Sequence, residues 1–213
     1  MYWSTVDGLL KKTLVLLMDT PEFAVFRLVG GTALNLQLGH RMSVDIDLFT
    51  DAPYDSVDFK AIDDFFLQHF NYVDTSFGAL PGMGRSYLAG EDRHNAVKID
   101  IYYTDDFIQP PLIIDQIRMA TIEEIVAMKV DVIARQGRKK DFWDLHELLN
   151  NYSPSAMIAL HQQRYPYSHD ANLIRANFAD FTRADGDFDP ICLKGKYWDL
   201  IKFDFVNALN DAG

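Results

Sequence analysis

A double glycine, Gly30-Gly31, separates an apolar, β-branched run at residues 23–29 from a short apolar helix pattern at 32–38 that Gly39 closes. Immediately beyond, residues 44–49 alternate Asp45 and Asp47 with Ile46 and Leu48, a period of two that puts both carboxylates on one face of a strand and both aliphatic side chains on the other. Strand, glycine turn, helix and half-buried strand in that order constrain the first part of the chain to a mixed α/β unit. The turn itself has a chemical reading. Glycines let backbone approach a ligand closely, and the helix that follows offers free N–H groups, so Gly30 and Gly31 suit a phosphate, with hydroxyls available from Thr32 and Ser43. A plain turn that needs glycine dihedrals gives the same pattern. The other glycine-rich phosphate loops, G-x-x-x-x-G-K-[ST] and G-x-G-x-x-G, are missing from the sequence.

The rest of the chain extends this unit. Helical spacing is expected at residues 5–19 and 56–70, strands at 71–77 and 85–89 around a Leu-Pro-Gly-Met-Gly turn, and a well-patterned strand at 96–103. Pro110-Pro111 reads as a linker, after which the pattern is helical at 121–136, 139–150, 154–163, 169–179 and 196–209. The expected class is α+β, with an α/β domain over residues 1–115 and a helical lobe over 116–213. A chain of 213 residues with 48% hydrophobic content has the length and material for a sizeable core.

Carboxylates carry the chemistry. Asp45 and Asp47 repel each other unless a cation joins them, and hard oxygen donors suit Mg²⁺, which takes one or two carboxylates and fills its shell with water and phosphate. Asp100, between the core-facing Ile99 and Ile101, is placed to supply a third carboxylate. An exposed strand face also produces Asp-x-Asp pairs. On the helix at 121–136, whose Thr121 and Glu124 form a capping-box pattern, Ile122, Ile125, Val126, Val132 and Ile133 make an apolar stripe with Lys129 at its centre. A lysine there needs an anionic partner, either a carboxylate or a bound phosphate. On the next helix Asp141 falls inside the stripe of Phe142, Leu145, Leu148 and Leu149, with Asp144 at its edge. The two charges fit a structural Lys129–Asp141 ion pair, or a lysine on a triphosphate and an aspartate at the reacting centre. Arg138, Lys139 and Lys140 form a tight basic cluster beside Asp141.

Composition narrows the partners. A formal net charge of −11 argues against a broad nucleic-acid surface, so such a partner would be held locally. The single cysteine, Cys192, cannot form an internal disulfide and fits a reducing, cytoplasmic setting. No apolar run is long enough for a membrane span, and the first residues do not read as a signal peptide. The six histidines show no zinc spacing, and no G-x-S-x-G elbow exists. Aromatics near the C-terminus, Phe178, Phe181, Tyr197, Trp198, Phe203 and Phe205, read as core at helical spacing, with base stacking as the alternative.

Gly30-Gly-Thr-Ala-Leu34, followed by Arg41-Met-Ser-Val-Asp-Ile-Asp-Leu-Phe49, resembles the signature of polymerase-β-type nucleotidyltransferases and, more narrowly, the AbiEii/AbiGii toxin family. Lys98-Ile-Asp100, Lys129 and Lys140-Asp-Phe-Trp-Asp-Leu145 match the family's later motifs in order; Lys140 stands where the family usually has arginine. The resemblance implies the nucleotidyltransferase fold, a small mixed sheet with flanking helices. It also implies transfer of a nucleoside monophosphate from an NTP to an acceptor hydroxyl, in some members a tRNA end, in a toxin–antitoxin or abortive-infection system; a protein acceptor would fit the net charge of −11 equally well. By residue match Asp45 and Asp47 bind Mg²⁺, Gly30, Gly31 and Ser43 meet the triphosphate, and Lys129 binds phosphate. Asp100 is then the candidate for activating the acceptor, with Asp141 as its rival. Two other readings stay open: a non-catalytic nucleotide-sensing module on the same scaffold, and a metal-dependent phosphohydrolase.

Overall fold

A computed structural model describes residues 1–75 and 82–211. Seven strands form one mixed sheet: β1 (Arg27–Leu28), β2 (Asp45–Thr50), β3 (Tyr72–Asp74), β4 (Gly84–Asp92), β5 (Asn95–Tyr103), β6 (Leu112–Ile114) and β7 (Ile117–Met119). Their spatial order is β3-β4-β5-β2-β1-β7-β6. The central pair, β2 and β5, runs parallel, as does β1 with β7; the other neighbours are antiparallel. Along β2 the side chains alternate between half-buried and buried, as the period-two reading requires.

Two helices of the first part, α1 (Gly8–Asp19) and α3 (Phe59–His69), join the sheet core. Leu10, Leu14 and Leu17 of α1 are fully buried. Phe65 and Phe66 of α3 meet Phe23, and Phe66 stacks on Tyr87 of β4. The helix α2 (Gly30–Leu38) leaves the double glycine and packs on β2, α4 (Ile122–Ala134) and α5 (Lys139–His146). Beyond these come α6 (Pro154–Arg164), α7 (Ala171–Asn177), the short α8 (Thr182–Asp185) and α9 (Trp198–Asp211). Sheet and helical lobe share one continuous apolar core.

Four local outcomes differ from the sequence reading. The run at 23–29 gives only a two-residue strand, because the Arg118 guanidinium takes the carbonyls of Phe23 and Phe26 within it. Pro110-Pro111 leads into a β-hairpin, β6–β7, whose turn uses positive φ at Asp115 and Gln116. The sheet therefore runs past residue 115 to Met119, and the helices begin at Ile122. The expected strand at 71–77 is Tyr72–Asp74, with residues 76 and 77 and part of the Leu-Pro-Gly-Met-Gly turn outside the described residues. The helix expected at 139–150 ends at His146.

Sheet and lobe are tied by a buried clamp. Glu124 of α4 and Arg164 of α6, both with side chains 0% exposed, pair at 2.6 Å. Glu124 also accepts the backbone N–H groups of Ile108 and Gln109, while Arg164 donates to the carbonyls of Asp105 and Asp106 and to the Thr104 hydroxyl. The loop after β5 is thus fastened to two helices of the lobe.

Candidate active site

The parallel pairing of β2 and β5 sets Asp47 opposite Asp100 and Asp45 opposite Lys98. Ser86 of β4 pairs with Asp100, so Asp47, Asp100 and Ser86 form a row across three strands on one face. Ser86 Oγ donates to Asp100 Oδ1 at 2.5 Å, and Lys98 pairs with the other oxygen of the same carboxylate. Burial, reinforced by the negative charges of Asp100 and Asp45, pushes the Asp47 carboxyl up to about 6, although Lys129 and Lys140 pull the other way. Lys140 Nζ stands 3.7 Å from Asp45 Oδ2. Among the described residues Asp47 is thus the one of the three carboxylates without an ion pair. Among the described residues no group of three or more His, Cys, Asp or Glu is arranged as a ready-made metal cage. The donor chemistry still suits a hard divalent cation that brings its own phosphate ligands, because such a cation needs only one or two protein carboxylates.

The start of α2 faces this row. Gly30 has φ 67°, and a Cβ on it would stand 2.6 Å from Asp47 Oδ2. A Cβ on Gly31 would overlap the Arg41 guanidinium. Both glycines therefore make room for charged side chains. No side chain caps the N-terminus of α2, so its first N–H groups stay available to an anion. The two predicted hydroxyls face each other: Thr32 Oγ1 and Ser43 Oγ are 2.7 Å apart, and Thr32 also donates to the Asp45 carbonyl. The Thr32 proton is committed to that carbonyl, so Ser43 is the donor to Thr32. Both protons thereby fasten the loop to α2.

Lys129 and Asp141 do meet, at 2.6 Å, and both are nearly inaccessible. Lys129 also pairs with Asp144 at 2.8 Å. Asp144 in turn receives Arg41 through Nε at 2.6 Å and Nη2 at 2.8 Å, and bonds His40 Nε2 at 2.8 Å. Burial opposes ionising Asp144, but Lys129 and Arg41 outweigh it and hold the carboxyl well below the usual range. Burial also opposes ionising Asp141, and Lys129 again outweighs it, so this carboxyl too is lowered. The second oxygen of Asp141 accepts the Arg138 backbone N–H at the start of α5. Two lysine and arginine charges thus balance two aspartates in a closed knot joining α4, α5 and the loop after α2.

A cleft of about 460 Å³ opens between these parts, lined by Gly30, Gly31, Asp47, Lys129, Lys140 and Asp141 among others. The structure thus gathers the predicted residues at one place: Asp47, Lys129, Asp141 and the two glycines on the cleft, Asp45 and Asp100 beside it in the sheet, Thr32 and Ser43 behind it. A wider depression of about 830 Å³ adjoins it past Thr104, Asp105 and Tyr165 and holds none of the predicted residues. Sequence reasoning missed the roles of Arg41, His40 and Ser86. Arg41 and His40 lie on a loop where no periodicity points to them, and Ser86 joins only through strand register. Of the C-terminal aromatics, Phe178 and Phe205 are core, Phe181 and Trp198 pack against it, and Tyr197 and Phe203 are exposed.

Comparison with known proteins places the chain among relatives of the same fold and family. An uncharacterized protein of Aquifex aeolicus is 32% identical over 139 residues, 60% of this chain; the match spans 59% of that relative's length. A nucleotidyltransferase candidate of H. pylori superposes with a TM-score of 0.58 at 18% identity, covering 93% of this chain and 91% of its own. MenT4, a nucleotidyltransferase toxin of Mycobacterium tuberculosis, gives 0.51 at 14% identity, covering 93% and 84%. At such identities these two likenesses are of fold. The family model described as "Nucleotidyl transferase AbiEii toxin, Type IV TA system" matches residues 13–211, nearly the whole sequence, and the chain belongs to that nucleotidyltransferase family.

Proposed function

We propose that this chain transfers a nucleoside monophosphate from an NTP to an acceptor hydroxyl, with Mg²⁺, as the toxin of a type IV toxin–antitoxin pair acting in the cytoplasm. The observation that carries the reading is the juxtaposition of Asp45, Asp47 and Asp100 on one sheet face, with Asp47 lacking an ion pair among the described residues, with the uncapped start of α2 and with Lys129. Asp45 and Asp47 would hold the metal, with Asp100 adjacent. Bound there, Mg²⁺ would neutralise phosphate charge and bring the α-phosphorus into line with its attacker.

The protein's own groups account for the rest. The backbone N–H groups of Gly30 and Gly31 receive the triphosphate at the positive end of α2. Ser43 reaches a phosphate oxygen once it gives up its bond to Thr32. Lys129 exchanges Asp141 for phosphate while Asp144 keeps it in place. Asp141, lowered by Lys129 and fixed by the Arg138 N–H, is a weak base and an orienting group. Asp100 accepts the proton of the acceptor hydroxyl, whose oxygen bonds the α-phosphorus as pyrophosphate leaves. A cognate antitoxin and an RNA or protein acceptor complete the reading. Residues 1–115 with the β7 strand would carry the chemistry and the helical lobe would supply Lys129 and Asp141.

Incubation with each α-labelled NTP, Mg²⁺ and total cellular RNA, followed by gel analysis, tests this. Label on a discrete species, lost in Asp45→Asn and Asp47→Asn, is the expected result. Thermal stabilisation by NTP without transfer to RNA or protein would replace the reading with a nucleotide sensor, and release of inorganic phosphate instead of pyrophosphate would replace it with a hydrolase.

A further inference from the structure

Beyond the row of carboxylates, the same face of the sheet stays open. Lys98 is 46% exposed there, and Tyr72, Leu88 and Ala96 on that face are half-exposed. The half-buried ring of Tyr102 holds a fixed place on it. Tyr102 pairs with Gly84 of β4, and a Cβ on Gly84 would overlap the Ile101 carbonyl oxygen first and then stand 2.5 Å from Cδ1 and 2.6 Å from Cγ of the ring. The Tyr102 hydroxyl lies 3.1 Å from Ser86 Oγ, and Ser86 donates to Asp100. The ring therefore runs along β4 from Gly84 to Ser86 with part of its surface exposed. Its neighbour Phe49 meets it edge-on at 6.1 Å. Phe49 and Asp47 line the nucleotide cleft, whereas Tyr102, Ser86 and Asp100 do not. Tyr102 thus sits beside Phe49, one step along the strands from the Asp47–Asp100 pair, next to the carboxylate of Asp100 and just outside the residues that line the cleft.

We propose that Tyr102 is the platform on which the acceptor's reacting end stacks, a nucleobase whose adjoining sugar hydroxyl is thereby delivered to Asp100. This rests on the nucleotidyltransferase reading above and specifies its acceptor as a nucleic-acid end. A flat aromatic ring takes any base, since every base has a π-face. Gly84 leaves room for the ring beside the strand, and the hydrogen bond to Ser86 holds its hydroxyl end. The small footprint suits a chain of net charge −11: one stacked base and Lys98 engage a strand end without a basic surface. The competing account is that Tyr102 only covers a cross-strand glycine to repair the sheet. It predicts a stability effect and no effect on acceptor binding.

The test uses the full chain, Mg²⁺ and a 5′-fluorescein single-stranded RNA octamer with a free 3′ hydroxyl, read by anisotropy, beside the same octamer ending in an abasic ribose. The wild type is expected to bind the intact octamer about tenfold or more tightly than the abasic one. Tyr102→Leu should lose that difference, and Tyr102→Phe should keep it, while the KM for NTP stays unchanged in both. Equal binding of the two RNAs by the wild type overturns the platform whatever the variants do. So does an unchanged preference in Tyr102→Leu, or label transferred to polypeptide alone. Pyrophosphate release with cellular RNA reports separately on the enzyme itself. Its absence with both NTP and acceptors present removes the nucleotidyltransferase reading, while its presence alongside equal RNA binding removes only the platform.

Discussion

The helix α4 carries two buried charges five positions apart, and the protein treats them differently. Glu124 meets Arg164, whose donors are all assigned: to Glu124, to two carbonyls, to the Thr104 hydroxyl and, through Nε, to Tyr165 Oη. Nothing in that pair is left to give. Lys129 meets Asp141 and Asp144, and both Lys129 and Asp141 also line the cleft. In the proposed reaction Asp141 gives way to a ligand anion at Lys129, while Asp144, held by Arg41 and His40, stays. A buried ion pair that is saturated on every side is scaffold. One that keeps an exchangeable partner at a cleft is a place to look for chemistry.

The largest effect should come from breaking the saturated pair. Glu124→Gln leaves Arg164 buried without its charge partner, so urea unfolding should show a loss of about 3–5 kcal/mol. Transfer activity per folded molecule should be preserved, and a loss of activity greater than the folded fraction would blur the contrast with Lys129. Lys129→Met should do the reverse at the active centre. Removing a preorganised charge at a reacting phosphate typically costs about 10²–10³ in rate, measurable as initial velocity with labelled NTP. Next, Mg²⁺ with NTP at a hundred times its dissociation constant should stabilise the wild type by about 2.7 kcal/mol in thermal or urea unfolding. The same addition should leave Lys129→Met nearly unmoved and Glu124→Gln fully responsive.

The smallest effect is a pH slope. Asp144 is held below its ordinary value of 3.8, so the native state binds this proton less readily than the unfolded chain. Its contribution is complete above about pH 4 and is lost as pH falls further, as the native carboxyl takes up its proton. Acid unfolding of Asp144→Asn should therefore be shallower below pH 4 than that of the wild type, with little change between pH 6 and 8. Equal slopes would mean that Arg41 and Lys129 do not stabilise the ionised form.

What the sequence disclosed follows from periodicity. Asp45 and Asp47 share a face because a strand repeats every two residues, and Lys129 and Asp141 point inward because their helices are apolar around them. Their meeting at 2.6 Å was one of two readings, and the fold brings it about without dismissing the other. Arg41 and His40 were hidden because a loop has no period to violate. The Ser86–Asp100–Tyr102 network was hidden because it depends on how β4 pairs with β5, which no local pattern encodes. Likewise the strand at 23–29 was over-read because its carbonyls go to a distant arginine, and the β6–β7 hairpin was missed because two prolines look like an ending.

The six consecutive pairs between β2 and β5 impose a rule of parity on this protein's history. Inserting one residue before Asp45 without compensation would exchange Asp45 and Asp47 with Ile46 and Leu48, driving carboxylates into the core and aliphatics into the cleft. Length changes at this edge of the loop after α2 can be tolerated in twos, or when the loop absorbs them. Among relatives, the spacing from the double glycine to the acidic pair should therefore vary only where Arg41 can still reach Asp144.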